Sequence, residues 1–349
     1  MGDIVDMHSY PGPDVNPVEN SRATVLGEFG GLGLPIKGHL WQESNWGYRS
    51  MADSLDFKKS YTELWDKVWK IKKEDAASAV VYTQLSDVEG EVNGLVTYDR
   101  KVIKIPVSYL HDIHTDNFVS PVEIESPQHI FVDNVKVTLA NRKEQPIYYT
   151  LDGSKPTAES EKYNRPITIN ADVELKTVAI ENGKESFVTS RSFSKVESYQ
   201  KPEGFIAVKD LKSGLDYALY EGNWQKIPDF STLKAINEGK TSIFELSELR
   251  KQEYHYGLVF NGYLKMDKDG IYVIQLKADD GVRLILDGKT VMEHDGIHGM
   301  DLNEEEFALA KGNHRVELQY FQGEGGSGLE FDVINEQGKK LDGNLYSEK

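Results

Sequence analysis

The sequence predicts a multidomain fold, with β/α units over residues 1–108 and all-β sandwiches over 120–196 and 204–349. Three observations predict it. The chain has 349 residues, more than one ordinary domain holds. One strongly amphipathic helix pattern lies between short apolar runs in the first hundred residues. Beyond about Ser108, helix signals thin out and short alternating segments are separated by Gly, Pro, Asn and Asp turns.

Taken in order, strands are expected at Ile4–Met7, Thr24–Phe29 and Ala79–Gln84, each running into a polar or Gly-rich loop. The helix is expected over Phe57–Glu74 with Asp56 as N-cap. Phe57, Tyr61, Leu64, Trp65 and Val68 recur at helical spacing as one buried stripe, and Lys58, Lys59 and Lys67 fall on other faces. The first sandwich is read from strands near Val135–Leu139, Ile147–Thr150 and Glu174–Ile180. The second follows a break at Lys201-Pro202-Glu203-Gly204, with strands near Leu215–Tyr220, Leu258–Met266, Gly270–Ala278, Arg283–Leu286 and His314–Phe321.

Composition narrows the function classes. An apolar fraction of 39% with 18 tyrosines supplies enough core-forming surface to argue against disorder. A formal net charge of −17, with no stretch of interleaved basic and aromatic residues, argues against nucleic acid as a partner. Cysteine is absent, which excludes disulfides, thiolate metal sites and Cys nucleophiles. No run approaches the roughly 20 apolar residues of a membrane helix. The opening MGDIVDMHSYPGP lacks the basic and apolar regions of a signal peptide, so export would need sequence upstream.

The segment ATVLGEFGGLG delivers one carboxylate, Glu28, into a Gly-rich loop, where backbone and substrate can approach closely. By spacing alone, Glu28 reads first as a surface residue beside a glycine turn. VDMHSYPGPD, GEFGGLGLPIKGHLW and VVYTQLSDVEGEVNGLVTYDRK resemble, in order and spacing, the sixth to eighth strand regions of family 2 glycoside hydrolases, the β-galactosidase and β-glucuronidase group. The resemblance implies that residues 1–108 are the last three βα units of a (β/α)8 TIM barrel. It implies an exo-β-glycosidase with Glu28 as nucleophile of a retaining mechanism, Tyr10 supporting it, terminal β-linked sugars of glycans as substrate, and no cofactor for catalysis.

His8, two residues before Tyr10, can point inward with it, toward a sugar hydroxyl or toward neighbouring barrel side chains. Trp41 and Trp46 follow the nucleophile strand and either stack on a sugar or pack beneath their loop. Gln84 and Asp87 close the last strand and are expected to line the pocket, whereas Glu89 and Glu91 read as solvated. A retaining glycosidase also needs a second carboxyl about 5–5.5 Å from the first. In the resembled family this is a Glu following Asn. Upstream of Glu28, Asn20 is followed by Ser21 and Glu19 is only nine residues away, so the chain alone is expected to be catalytically silent.

IYYTLDGSKPTAESEKYNRPITI and VELKTVAIENGKES resemble the C-terminal sandwich of chitobiases and β-hexosaminidases, which implies a scaffold without chemistry. From about Gly214, LYEGNWQKIPDFSTL, FNGYLKMDKDGIYVIQLKADDGVRLILDGK and KGNHRVELQYFQGEGGSGLEF resemble the protective-antigen-type (PA-14) domain. That resemblance implies carbohydrate as partner and Ca²⁺ held by Asp279-Asp280, while the residues alone equally allow a simple turn. Asp287-Gly288 reads as a structural turn. A secreted or periplasmic location for the full-length protein follows from both resemblances, and a non-catalytic carbohydrate-binding protein is the alternative to the enzyme.

Overall fold

The computed structural model describes residues 2–75, 77–203, 211–242, 244–341 and 343–348. The expected start of the last sandwich at Gly204 lies outside the described residues. Contacts group the chain into two compact units. One comprises Met1–Glu125, Val137–Pro166 and Glu174–Arg191, the other Ser126–Lys136, Ile167–Val173 and Ser192–Lys349. The fold is mostly β. Among the described residues, no helix is long and apolar enough to cross a membrane.

In the first unit, β1 (Ile4–Ser9), β2 (Ala23–Gly30) and β3 (Ala79–Thr83) form a parallel sheet in that order. Helix α1 (Ser54–Glu74) connects β2 to β3, and α2 (Val107–His114) follows the long loop after β3. Phe57, Tyr61, Leu64 and Val68 of α1 pack with Leu26 and Phe29 of β2 in one apolar core. At about 25 cal/mol per Å² of apolar surface, such a face outweighs helix propensity in holding α1 to the sheet.

Two expectations are corrected here. α1 starts three residues early, because Asp53 rather than Asp56 is the N-cap and accepts from the Leu55 and Asp56 backbone N–H groups. The first turn is exposed, so apolar periodicity did not register it. The stretch between β1 and β2 also carries no helix. Pro11, Pro13 and Pro17 lack the N–H donors that a helix interior needs, so this connection is not a βα unit. Among the described residues the sheet has three strands and is not closed into a barrel.

β4 (Val135–Ala140), β5 (Ile147–Thr150) and β6 (Val173–Glu181) fall where strands were expected. β5 and β6 pair antiparallel with Thr150 opposite Lys176. Tyr149 is buried and Tyr148 only partly so, as alternation requires.

In the second unit, eight described strands form one antiparallel sheet. They are β7 (Leu211–Ser213), β8 (Leu215–Glu221), β9 (Asn237–Thr241), β10 (Tyr256–Met266), β12 (Val282–Leu286), β13 (Lys289–His294), β15 (Gly312–Gln322) and β17 (Leu345–Glu348). A second sheet holds β11 (Gly270–Asp279) between β14 (Asp301–Leu309) and β16 (Gly328–Asn335). Leu258, Phe260, Ile274, Leu276, Leu284, Leu318 and Val333 point into one core, from strands that alternate buried and exposed positions. β11 and β12 are joined through Asp280 and Gly281, and β12 and β13 through Asp287-Gly288. At that second turn φ is 47° and 75°, both positive as a two-residue type I′ turn needs.

Candidate functional sites

On the first sheet, register brings the predicted residues together. Met7 lies opposite Leu26 but His8 lies opposite Glu28, so an irregularity at Gly27 turns Glu28 toward the end of β1. A Cβ on Gly27 would stand 2.3 Å from an Asp6 carboxylate oxygen, so a larger residue there would displace the Asp6 side chain. The Tyr10 hydroxyl donates to Glu28 Oε2 and lies 3.0 Å from Thr83 Oγ1. Burial first, and then Glu28, push the Tyr10 phenol up to about 12, so it remains a donor across the physiological range. His8 Nδ1 is 3.4 Å from Glu28 Oε2, and its Nε2 is 3.2 Å from Asp6 Oδ2.

Tyr48, which the sequence reading missed, stacks on Tyr10 with ring centroids 3.8 Å apart, and Trp46 meets Tyr48 edge-on at 5.5 Å. Gly31, at φ 66°, permits this, since a Cβ there would come within 2.5 Å of the Tyr48 ring. Trp46 is 51% exposed and Trp41 60%, so neither packs beneath its loop; Trp41 stands against Tyr98 instead, at 5.7 Å. Gln84 is half-buried, its side-chain nitrogen unpartnered. Asp87 does not line a pocket. It forms a buried ion pair with Lys104 at 2.7 Å and accepts from the Gly94 N–H, a structural role that a pocket reading of the strand end overlooked.

In the second unit the turn at Asp279-Asp280 meets two other loops. Asp280 is 1% exposed. Its Oδ1 accepts from the His298 N–H at 2.9 Å, and its Oδ2 from the Gly323 N–H at 2.8 Å. Gln322, fully buried, places its side-chain nitrogen 3.5 Å from Asp280 Oδ2 and donates to the Gly326 carbonyl. The Tyr320 hydroxyl lies between two acceptors, 2.5 Å from the Asp279 carbonyl and 2.6 Å from Gln322 Oε1, and shares its single proton between them. The Asp279 carboxylate leans over the 323–328 glycine loop, where a Cβ on Gly326 would lie 2.7 Å from its Oδ2. Burial, and then the neighbouring Asp280 carboxylate, hold Asp279 above the usual carboxylate range, although His298 acts in the opposite direction.

Two carboxylates and the Gly326 carbonyl are oxygen donors of the kind a hard divalent cation takes, while the Gln322 amide turns its nitrogen toward Asp280 and its oxygen toward Tyr320. Sequence reasoning found the Asp pair but missed Tyr320, Gln322 and Gly326. The run of glycines at 323, 325, 326 and 328 was the available signal, since such a loop lets backbone approach a ligand closely.

Residues 211–342 match the family model of the PA14 domain, and residues 135–193 that of the Fn3 associated family. The PA14 match agrees with the resemblance read from the sequence. The Fn3 associated match falls where a chitobiase-type sandwich was expected. Solved structures similar to part of the chain include the PA14 domain of the MpAFP antifreeze protein, at 18% identity and TM-score 0.34, covering 42% of this chain and 96% of that one. The PA14 sugar-binding domain from an RTX adhesin shows 19% identity and TM-score 0.33, over 39% and 99% of the two chains. The epithelial adhesin 9 A domain from Candida glabrata, in complex with Galβ1-4GlcNAc, shows 14% identity and TM-score 0.35, over 43% and 97%. No curated protein matches the chain.

Proposed function

We propose that the chain binds carbohydrate through its PA14 domain, by way of a Ca²⁺ ion held at Asp279 and Asp280. The observation that carries this reading is the gathering of oxygen donors around a buried, backbone-anchored Asp280 beside a raised Asp279. Two carboxylates crowded together in a partly dry turn repel one another, and a divalent cation would convert that repulsion into attraction. Asp280 and Asp279 would supply the charge and the Gly326 carbonyl a further oxygen, with Gln322 holding that carbonyl in place through its side-chain nitrogen. The bound cation would present open positions to adjacent sugar hydroxyls. A glycan outside the cell is the partner this reading implies, and the net charge of −17 disfavours nucleic acid.

Calorimetric titration of Ca²⁺ into the 349-residue chain tests it. The wild type is expected to bind one ion and Asp279→Asn to bind none at the same concentrations. Absence of binding by the wild type would refute the reading.

A second reading rests on the Tyr10 donation to Glu28. It takes residues 1–108 as the end of a family 2-type glycosidase barrel, with Glu28 as nucleophile and Tyr10, Tyr48 and Trp46 walling the sugar site. The groups in contact with Glu28, a phenol and an imidazole, do not supply the second carboxyl that retention needs. Turnover of aryl β-glycosides is therefore expected only when an acid/base carboxyl is present, and is expected to vanish with Glu28→Gln. Activity that survives this substitution would remove Glu28 from the mechanism.

A further inference from the structure

The connection from β13 to β14 carries His294, His298 and Asp301, and the calcium reading uses none of their side chains. One ligand atom from each lies within 4.8 Å of the others. Each comes from a defined place: His294 ends β13, His298 sits in the intervening turn, and Asp301 opens β14. The two imidazoles lie face to face, with ring centroids 3.8 Å apart and planes 23° from parallel. From these residues we infer a second metal site in the PA14 domain, specific for a zinc-type divalent transition ion and separate in chemistry from the calcium site.

The protonation pattern supports it. His298 Nδ1 lies 2.8 Å from the Gly299 carbonyl, which can only accept, so the proton sits on Nδ1 and the lone pair on Nε2. That Nε2 is buried and has no hydrogen-bond partner, although its side chain is only 13% exposed. A buried acceptor left unpaired calls for a specific explanation, and coordination of a metal ion is one. A backbone carbonyl that fixes the tautomer of a histidine is also the usual outer support of a metal-bound imidazole.

His294 is arranged differently: its Nδ1 accepts from the Asn303 side-chain nitrogen at 3.1 Å, which leaves the proton on Nε2, so ligation through Nε2 requires the Asn303 amide to turn over and present its oxygen to the ring. Asp301 Oδ2 stands 3.8 Å from His298 Nδ1, beside the protonated nitrogen, and its side chain, 61% exposed, would swing around the ring to meet an ion at Nε2.

Two imidazoles and one carboxylate suit zinc and its first-row neighbours, whereas calcium takes oxygens alone. Three protein ligands leave a coordination position for water or an external ligand.

The test uses the 349-residue chain, free of any histidine tag and stripped with chelator. Zinc is followed by calorimetry and cobalt by its visible ligand-field bands. The wild type is expected to bind a single zinc ion, with the affinity unchanged by excess Ca²⁺ or by Asp279→Asn. His294→Ala and His298→Ala are each expected to weaken it by at least about tenfold, with folding checked by circular dichroism. Failure of the wild type to bind zinc or cobalt overturns the inference. So does zinc binding that is unchanged in the folded double histidine variant, which would place the ion elsewhere. The calcium titration is scored separately, so failure of either site leaves the other standing.

Discussion

Two acidic turns flank strand β12, and to the sequence they look alike: Asp279-Asp280-Gly281 before it and Asp287-Gly288 after it. The structure separates them. Asp287 is fully engaged, taking up buried His314 Nδ1 at 2.7 Å, Gln200 Nε2 at 2.9 Å and the Arg315 N–H at 2.9 Å. Burial would raise its carboxyl, but the hydrogen bonds from His314 and Gln200 and the pull of His314 outweigh burial and leave it below the ordinary range. Asp279 has a like charge beside it and is raised. A carboxylate that the protein has already satisfied is part of the scaffold, whereas one left crowded beside another is where an external cation belongs.

The largest expected effect is structural. Asp287→Ala leaves His314, whose side chain is wholly buried, without its carboxylate, and is expected to cost about 3 kcal/mol in chemical denaturation while calcium affinity stays unchanged. Asp280→Ala comes next. It orphans the His298 and Gly323 N–H groups and is expected to cost about 2 kcal/mol and to abolish calcium binding. If Asp280→Ala were silent in both measurements, the distinction between the two turns would fail.

Acidification sharpens the comparison. The Asp287 carboxyl is depressed by folding, so it adds stability above the unfolded value of about 3.9, and that stability is lost as pH falls through its folded value. Asp279 has the opposite sign: the stability its protonated form gives in acid is lost as pH rises through its raised value. Without calcium, Asp279→Asn is therefore expected to leave the melting temperature at neutral pH slightly higher, and Asp287→Asn to lower it and flatten the acid limb. Glu28→Gln, at a side chain 43% exposed, is expected to change stability by no more than about 0.5 kcal/mol.

Much of this was legible in the sequence. Alternation marked β8, β10, β11, β12 and β15 of the second unit to within two residues, because two-sided burial imposes a strict period, while β7, β9, β13, β14, β16 and β17 were not marked. The contact of Tyr10 with Glu28 was expected from the family resemblance, whereas His8 was expected to face a sugar hydroxyl or neighbouring barrel side chains and its approach to Glu28 was not singled out. Tyr48 was not foreseen, because its stacking depends on Gly31 at the other side of a long loop. Asp87 read as a pocket residue because its partner, Lys104, is distant in sequence and nothing local marks the pair as buried. Gln322 and His298 reach Asp280 only through the packing of three loops, so their part in the site emerges from tertiary structure.

The most direct test of the central claim is binding of the 349-residue chain to an array of immobilised glycans, in Ca²⁺ and again in excess chelator, beside the Asp279→Asn/Asp280→Asn variant. The account predicts glycan binding that requires calcium and is lost in the variant. Glycan binding that persists in chelator and in the variant would contradict it, as would a wild-type chain that takes up calcium but holds no glycan.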